Sequence, residues 1–550
     1  MHMKVKTAML RCLVSWALVL TCEVIPMAGK SAAPDFLWLR TAGGEGADVG
    51  YSIAVDPAGS SFIAGIFAST NLNFGGVVLT NANPPSYDAF VARFNPDGTL
   101  LWARSFGGTN GDGARAIAID GQDNCYVTGS FYSTNFLVGN VTLTNFAANG
   151  YGSFFIAKFD PSGNLLWARG PDSGYSQSAN GIAVDAAGNC YVTGQFSGTA
   201  TIGGINLVSS GSSDILLLKY DTNGNLLWAQ RAGGNSNDTG ISVAVDSSGN
   251  AYLLAVIRST NVIFGNFFFS VKGTNLDQDI IVAKYGPSGN TIWADQFGGT
   301  DLDSGSGIAL DKTGNVFITG AFSSTNLVFG NTTLTNTGFL LYSTLYLAKL
   351  ANDGTPLWAK AVHGDFTQAS QGVAADFAGN SYIAGFFVSS NLVFDSVLIT
   401  NTEGALEYHA DVFVAKYDPS GNLLWIAQPM GTNDQRAFSI AVDSTANAYI
   451  TGWTQGTNVL FGNLATTNAY LDLFVAKMDS DYTFLQIGVS NSAFVLSWPA
   501  AHRDGFFPEV STNLQTWTPL GGLIITNNGR KYMTNFVVNS KGFFRLNETN

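Results

Sequence analysis

Short apolar runs separated by polar turn residues follow one another along almost the whole chain. One unit contains the runs "IAID" (117–120), "YVTG" (126–129), "FIAK" (155–158) and "LLWAR" (165–169). The runs are rich in β-branched and aromatic residues and are bounded by Gly, Asn, Asp and Pro, a composition typical of β-strands joined by turns. The pattern therefore predicts units of four short strands.

The four-strand unit recurs at a nearly constant interval. A tryptophan in its last run returns at steps of 61 to 67 residues: Trp38, Trp102, Trp167, Trp228, Trp293, Trp358 and Trp425. A period of this length with four strands per unit is typical of the blades of a β-propeller. We interpret the tryptophans as packing between blades.

One copy of the unit is split between the two ends of the array. Its last run, "FLWLR" (36–40), comes first, and its preceding run, "FVAKMD" (474–479), comes last. A closed ring explains the split, because the N-terminal strand would pair with the last blade and leave no exposed edge at the join. We therefore expect an all-β fold with a seven-bladed β-propeller closed by its N-terminal strand.

Two short turns carry the most regular polar residues of each unit. The turn D-x-x-G-N lies between the first two strands of a unit, and the turn D-P-S-G-N lies between the last two. In these turns Pro presets the first turn position, Gly supplies a left-handed residue, and Asp accepts hydrogen bonds from the turn backbone. The D-x-x-G-N turn lacks the further acids and final Glu of an EF-hand loop, so we interpret its aspartates as turn caps: Asp56, Asp120, Asp185, Asp246, Asp311, Asp376 and Asp443. A basic series is expected to form structural ion pairs within or between blades: Arg93, Lys158, Lys219, Lys284, Lys349, Lys416 and Lys477.

The combined pattern "GG…D.G..IAVD..GN.YVTG.F…FVAK.DPSGNLLWA" resembles the SBBP repeat, named for a seven-bladed β-propeller and found in secreted bacterial proteins. It is also similar to NHL-type blades. The resemblance covers about residues 35–480 and recurs in all seven units. It implies the propeller fold and a secreted bacterial protein, but no particular activity, because propellers host many functions.

The two ends of the predicted ring differ in their loops. Both short turns lie at one end, whereas the connections between blades and the links of around 20 residues between second and third strands lie at the other. Each link has its own alternation and central turn, as in "LVFGNTTLT" (327–335), so we expect an additional hairpin there. Long, varied loops on a rigid scaffold commonly carry binding sites, and we expect a ligand at this end.

A ring of oxygen-bearing side chains is expected at the mouth of the channel on the long-loop face. Its members lie five residues before the first run of each unit: Asp48, Asp112, Gln177, Asp238, Asp303, Gln368 and Gln435. Carboxylate and carbonyl oxygens are typical calcium ligands. The four aspartates are therefore candidate metal ligands, with no cofactor required and calcium the expected ion. The alternative is that all seven side chains cap loops.

Composition and charge limit the partners. The chain carries a formal charge of −13 and has no basic run after its first dozen residues. An acidic chain repels phosphate backbones, which argues against nucleic acid. We expect a protein or carbohydrate partner and a monomeric state.

The first 29 residues have the pattern of an export signal. Three basic residues precede the apolar run "CLVSWALVLT" (12–21), and the small residues Ala28 and Gly29 follow. The run is too short to span a bilayer. We expect a protein that a bacterium secretes or keeps at its surface or in its periplasm. A lipid anchor at Cys22 is the less favoured alternative, because "VLTC" departs from a lipobox.

Catalytic interpretations find little support in the sequence. No Ser-His-Asp set or phosphate-binding glycine loop stands out, although a pair of carboxylates could serve a polysaccharide-active enzyme. The tryptophan motif is similar to that of quinoprotein dehydrogenases, which implies a pocket for calcium and a quinone as an alternative. Cys125 and Cys190 occupy equivalent places on neighbouring blades. Facing sheets lie about 10 Å apart, beyond the ~7 Å reach of a disulfide, so we expect buried free thiols.

After residue 481 the repeat stops, and residues 484–550 contain alternating apolar and polar residues. The pattern "LSW…STNL..W…FFRL" is similar to C-terminal modules of large secreted bacterial proteins, and we expect a small β domain. The expected division is a signal peptide (1–29), a short linker (30–34), the propeller (35–481) and this module (484–550). The expected function is a non-enzymatic scaffold that binds a partner through its long-loop face. The alternatives are an extracellular enzyme, quinoprotein-like or polysaccharide-active, and a purely structural envelope protein.

Overall fold

The computed structural model describes residues 33–147, 150–271, 277–336, 342–401 and 409–479, together with strand backbones within 9–25 and 486–548. The chain divides into two compact units, residues 35–478 and residues 1–34 with 479–550. Within the described ranges the secondary structure is β throughout, and no helix there could cross a membrane. The all-β prediction is confirmed.

The larger unit is built from antiparallel sheets in which the four strands of a sequence unit lie in the order first, second, third, fourth, and in one of these sheets two further strands follow the fourth. We call these sheets blades 1 to 7. The first strands are Asp48–Val55, Asp112–Ile119, Gln177–Val184, Thr239–Val245, Asp303–Leu310, Gln368–Ala375 and Gln435–Val442. The second strands are Ser61–Phe67, Cys125–Phe131, Cys190–Phe196, Ala251–Ile257, Val316–Phe322, Ser381–Phe387 and Ala448–Phe461.

The third and fourth strands complete each blade. The third strands are Asp88–Phe94, Ser153–Phe159, Asp214–Tyr220, Asp279–Tyr285, Thr344–Leu350, Asp411–Tyr417 and Leu464–Met478. The fourth strands are Leu100–Phe106, Leu165–Arg169, Leu226–Ala232, Thr291–Phe297, Pro356–Gly364, Leu423–Ala427 and, for blade 7, Phe36–Ala42. Second and third strands are almost wholly buried because neighbouring blades cover both of their faces, which explains their continuous apolar sequences.

The first strands contact one another in a closed order around a central channel. Blade 7 meets blade 1 at the join, where the backbone N–H of Ile53 donates to the hydroxyl of Ser439 at 3.3 Å. Phe36–Ala42 pairs antiparallel with Leu464–Met478. The N-terminal strand therefore closes the β-propeller, as predicted from the split repeat.

The expected additional hairpins are confirmed in the long links. They are Asn71–Asn73 with Val78–Thr80, Asn135–Val138 with Val141–Thr144, Thr199–Ile202 with Ile205–Val208, Val262–Phe264 with Phe267–Phe269, Asn326–Phe329 with Thr332–Thr335, and Asn391–Phe394 with Val397–Thr400. In blade 7 the second and third strands themselves extend into the hairpin. Asn391–Phe394 also pairs with Pro356–Gly364 of the preceding blade. The short strand Ser173–Gly174 pairs with Thr199–Ile202.

The recurring tryptophans join adjacent blades. Trp102 donates its indole N–H to the carbonyl of Pro161, in the outer turn of the next blade, at 2.9 Å. Corresponding bonds of 2.9 to 3.0 Å are made by Trp38, Trp167, Trp228, Trp293 and Trp358. The ring of Trp425 packs on Tyr382. Gly163 lies beneath the Trp102 ring with φ +78°, and a Cβ there would come within 2.6 Å of the indole. Both the left-handed backbone and the close approach require glycine at this turn position.

The aspartates of the D-x-x-G-N turns cap those turns. Asp56 accepts hydrogen bonds from the backbone N–H groups of Ala58 and Ser60, at 3.0 and 2.8 Å. The other six make the same two bonds at 2.9 to 3.0 Å. The basic series lies beside them in the same blades, with ion pairs of 3.4 to 3.9 Å to Arg93, Lys158, Lys219, Lys284, Lys349 and Lys416. Lys477 lies over the ring of Tyr449.

Cys125 and Cys190 are buried and free, as expected. Burial raises the pKa of the Cys190 thiol to about 12, so this thiol is protonated and unreactive at neutral pH.

The smaller unit contains two sheets. One consists of Gln486–Ser490, Ala493–Pro499, Arg530–Thr534 and Ile524–Asn527 in that order. The other joins Gly542–Glu548, Phe506–Ser511 and Thr518–Pro519 to two strands from the start of the chain, Met9–Leu13 and Thr21–Ile25. The segment predicted as an export signal therefore supplies strands to this sheet. Residues 30–32 of the expected linker lie outside the described residues, and the side chains of the 484–550 module are not described.

Candidate functional site

Each first strand has a β-bulge at the same position. In blade 1 the pairing with the second strand skips Tyr51, and in blade 2 it skips Arg115. A bulge leaves one residue out of the ladder and redirects its side chain. The seven bulge residues are Tyr51, Arg115, Asn180, Ile241, Ser306, Gln371 and Phe438. All seven line the central channel, which encloses a cavity of about 980 Å³.

The bulge residues differ from blade to blade, although the residues around them repeat. The oxygen-bearing residue three positions earlier is always Asp or Gln, and the apolar run that follows is nearly constant. The repeated sequence patterns do not predict these seven positions, because the residue there changes from one unit to the next. Their signal is a variable residue at a fixed offset inside an otherwise regular strand.

Blades 7, 1 and 2 give the channel an aromatic and cationic side. The rings of Phe438 and Tyr51 lie 5.4 Å apart, and the guanidinium carbon of Arg115 lies 4.6 Å from the centre of the Tyr51 ring. Tyr87 and Tyr132 line the same cavity and are 40% and 48% exposed. Because aromatic faces attract cations and ligand rings, this side can hold a planar or cyclic ligand.

The opposite side of the channel is neutral. Its bulge residues are Asn180, Ile241, Ser306 and Gln371, and the Asn180 amide donates to the carbonyl of Gly240 at 2.9 Å. Hydroxyl and amide groups therefore face the aromatic side across the cavity. This arrangement offers several hydrogen-bond donors and acceptors to a polar ligand.

Among the described residues that line the cavity, Arg115 is the one exposed charged side chain. The other charged lining residue is Asp112, which is buried. Among the arginines that the structure describes, the other seven all donate hydrogen bonds, whereas Arg115 makes neither a hydrogen bond nor an ion pair with the described residues. The channel therefore contains an unpaired positive charge in an acidic protein.

The seven residues predicted for the channel mouth lie at or next to the beginnings of the first strands. These strands begin about five residues earlier than the apolar runs predict. All seven are buried. Asp48 accepts hydrogen bonds from the hydroxyl and backbone N–H of Ser69 at 2.7 and 3.3 Å. Equivalent hydroxyl bonds join Asp112 to Ser133, Asp238 to Ser259, Asp303 to Ser324, and Gln368 to Ser389. Gln177 and Gln435 donate to carbonyls of their own loops.

These contacts tie each predicted mouth residue to a loop of its own blade, which is the geometry of the capping alternative. Within the described residues, no three His, Cys, Asp or Glu side chains come together as a possible metal site. Calcium binding by Asp48, Asp112, Asp238 and Asp303 stays a prediction.

Burial makes the mouth carboxyls weaker acids than ordinary carboxyls. It raises the pKa of Asp48 to about 6, against the opposing effect of the Ser69 hydrogen bonds. It also raises the pKa of Asp112, Asp238 and Asp303. A second carboxyl accompanies some of these residues on the preceding blade. Burial, reinforced by the charge of Asp48, raises the pKa of Asp472 to about 7, and burial with the charge of Asp112 raises that of Asp88 to about 6. These groups are protonated more readily than ordinary carboxyls.

Comparisons with known proteins agree with this architecture. The family model described as a β-propeller repeat, SBBP, matches residues 227–261 and 292–321. The chain is a β-propeller repeat protein. It is similar to an uncharacterized WD repeat-containing protein of Acanthamoeba polyphaga mimivirus, with 24% identity over 66% of this chain and 31% of that protein. It is also similar to the regulatory protein FlaEY of Caulobacter vibrioides, with 25% identity over 36% of this chain and 22% of that protein. The chain thus spans less than a third of either relative.

Solved structures with a similar chain course include a puromycin hydrolase mutant complexed with PGG, with 11% identity and a TM-score of 0.36 over 83% of this chain and 59% of that chain. Another is YCF48 bound to a D1 peptide, with 9% identity and a TM-score of 0.31 over 80% of this chain and 92% of that chain.

Proposed function

We propose that this protein is a secreted, non-enzymatic, seven-bladed propeller that binds a protein or carbohydrate partner at the long-loop end of its channel. The signal-like N-terminus and the resemblance to SBBP repeats support secretion. The opposite end of the ring supports the choice of face, because its turns repeat and its aspartates, lysines and tryptophans are engaged in caps, ion pairs and blade contacts.

One observation carries the proposal: the seven bulges direct seven different side chains into one cavity. A purely structural ring gains no stability from such variety, whereas a binding site uses different groups to match different parts of a ligand. Partly exposed aromatic rings beside hydroxyls and amides are also typical of binding surfaces. Among the described lining residues the one carboxyl is Asp112, which accepts a hydrogen bond from Ser133, and we therefore favour binding over catalysis.

Arrays of glycans and of extracellular proteins, probed with the full-length protein, test the proposal. Ser306→Trp places a large side chain at a bulge, and Gln122→Trp is the matched control on an exposed turn at the other end. We expect a ligand class that binds the wild type and the control, with a loss of about tenfold or more in affinity for Ser306→Trp. Blank arrays, or binding that Ser306→Trp leaves intact, would contradict the proposal.

Calcium dependence is measured separately by thermal melting with added calcium and with a chelator. If the four mouth aspartates bind calcium, the melting temperature rises with calcium, and Asp303→Asn reduces the rise.

A further inference from the structure

We infer that the channel recognises an acidic sugar, with Arg115 pairing with the carboxylate of a uronic acid residue and Tyr87 and Tyr132 contacting the neighbouring sugar rings. This inference rests on the proposed function and names its ligand class.

The guanidinium of Arg115 is prepared for an anion. Tyr51 covers one of its faces at 4.6 Å, and this contact orients the group while leaving its in-plane N–H donors for other partners. Arginine binds carboxylates through two parallel hydrogen bonds, and this geometry is stronger than a single neutral bond. Since Arg115 makes no hydrogen bond or ion pair with the described residues, a ligand carboxylate would satisfy donors that the fold leaves open.

The number of charges distinguishes a carboxylate from a phosphate. Phosphate groups are commonly held by several basic side chains or by a helix N-terminus. The cavity lining contains Arg115 alone as a base, and no helix occurs in the described chain. A single guanidinium suits one carboxylate of the ligand.

The rest of the lining suits a sugar. Tyr87 precedes the third strand of blade 1 and Tyr132 follows the second strand of blade 2, and both rings line the cavity. The Tyr132 ring lies over Gly152, where a Cβ would come within 3.0 Å of it, so the ring is supported on one face. Sugar rings stack their C–H faces on such aromatic rings. Ser130, Ser178 and Gln195 also line the cavity and can hydrogen-bond to sugar hydroxyls.

The size of the cavity is also suitable. A volume of about 980 Å³ lies at the upper end of the range of small-ligand sites, which is about 300–1,000 Å³. A few linked sugar residues fit this space. Each first strand is the innermost strand of its sheet and pairs only with the second strand, so a peptide that adds to this inner edge is the competing ligand, and its binding would not require Arg115.

Isothermal titration of the full chain with a galacturonic acid tetrasaccharide and with its neutral methyl ester tests the inference. The two probes share the sugar backbone and differ in the carboxylates, which the ester replaces with neutral methyl carboxylates. We expect the acid to bind at least about tenfold more tightly than the ester, with affinity that falls as salt increases. Arg115→Ala should remove this preference, and Arg115→Lys should restore only part of it, because lysine lacks the paired donors. Lys312→Ala, which removes an exposed positive charge from the other end of the ring, should bind like the wild type.

Two results would overturn the inference: equal binding of acid and ester by the wild type, or an acid preference that survives in Arg115→Ala. The comparison of the two probes on the wild type needs no variant, so it does not depend on the folding of Arg115→Ala. If the wild type binds neither tetrasaccharide but binds neutral glycans or proteins through the channel mouth, the proposed function stands and the acidic sugar is excluded. If the arrays show no binding at all, both the proposed function and the acidic-sugar inference are excluded.

Discussion

The two ends of the ring use the same repeat in opposite ways. At the turn end, each blade carries the same capping aspartate, and Asp56 and its counterparts are held by backbone N–H groups and basic side chains. At the long-loop end, bulges place Tyr51, Arg115, Gln371 and four other residue types in one cavity. Repetition in this protein therefore marks the groups that build the ring. A position that varies inside a repeated strand marks the groups that are free to bind.

The largest effect is expected at the contacts between blades. Trp102 is 7% exposed, and its replacement in Trp102→Ala removes both ring packing and the bond to Pro161. We expect a loss of about 3–5 kcal/mol in the free energy of unfolding, measured by guanidinium denaturation. Leu101→Ala is the control, because Leu101 is 47% exposed and should cost less than about 0.5 kcal/mol. Similar losses in the two variants would show that the tryptophans do not hold the blades together.

The next effect is expected at the turn glycines. Gly163→Ala forces a left-handed residue and a contact with the Trp102 ring, for a loss of about 1–3 kcal/mol. Gly121→Ala is the control in the other short turn, since a Cβ at Gly121 meets nothing within 4 Å and the residue does not require positive φ. That variant should be neutral or slightly stabilising. A neutral Gly163→Ala would contradict the account of this turn. Denaturation curves of the two variants decide between these outcomes.

The sequence predicts the repeated features because the pattern of each one occurs in several units of the chain. Four short strands, two hairpin turns, the extra hairpin in "LVFGNTTLT" and closure by Phe36–Ala42 all follow from patterns that recur or are split. Alternation and turn residues are local signals, and many copies of a local signal suppress chance matches.

The candidate site could not be predicted in this way. The side chain of Arg115 enters the channel because a bulge shifts the register between Ala114 and Ala116, and a bulge has no composition of its own in these strands. The aspartates and glutamines were expected to crowd the channel mouth because they precede the first runs. The serine 21 residues after Asp48, Ser69, bonds to it within its own blade. That pairing depends on tertiary contacts between segments far apart in sequence.

The two ends should also differ in the sign of their pH response. Burial raises the pKa of Asp472 to about 7, so the folded state retains a proton that the unfolded chain releases near pH 4. Stability therefore falls as pH rises between about 4 and 7. In Asp472→Asn this loss disappears, and we expect a melting temperature ~2 °C above that of the wild type at pH 8, with no gain below about pH 4.

The turn-end control has the opposite sign. A hydrogen bond from the backbone of Thr99 lowers the pKa of Asp97, so its contribution is present at neutral pH and is lost as the pH falls. Asp97→Asn should therefore lower the melting temperature slightly at neutral pH and have no effect in acid. If the change in melting temperature depends on pH in the same direction in both variants, the two ends of the ring do not differ in the sign of their pH response.

The smallest effect on stability is expected at the bulges, and it tests the comparison most directly. Gln371 lies outside the strand ladder and projects into the channel, so Gln371→Ala should change the free energy of unfolding by less than about 0.5 kcal/mol. Val373, two residues along the same strand, is 8% exposed, and Val373→Ala should cost about 1–3 kcal/mol because its side chain packs between blades. Equal losses would mean that the bulge residues are structural and that their variety reflects local packing. A neutral Gln371→Ala together with a costly Val373→Ala would mean that the same strand stabilises the ring with one face and leaves the other available to a ligand.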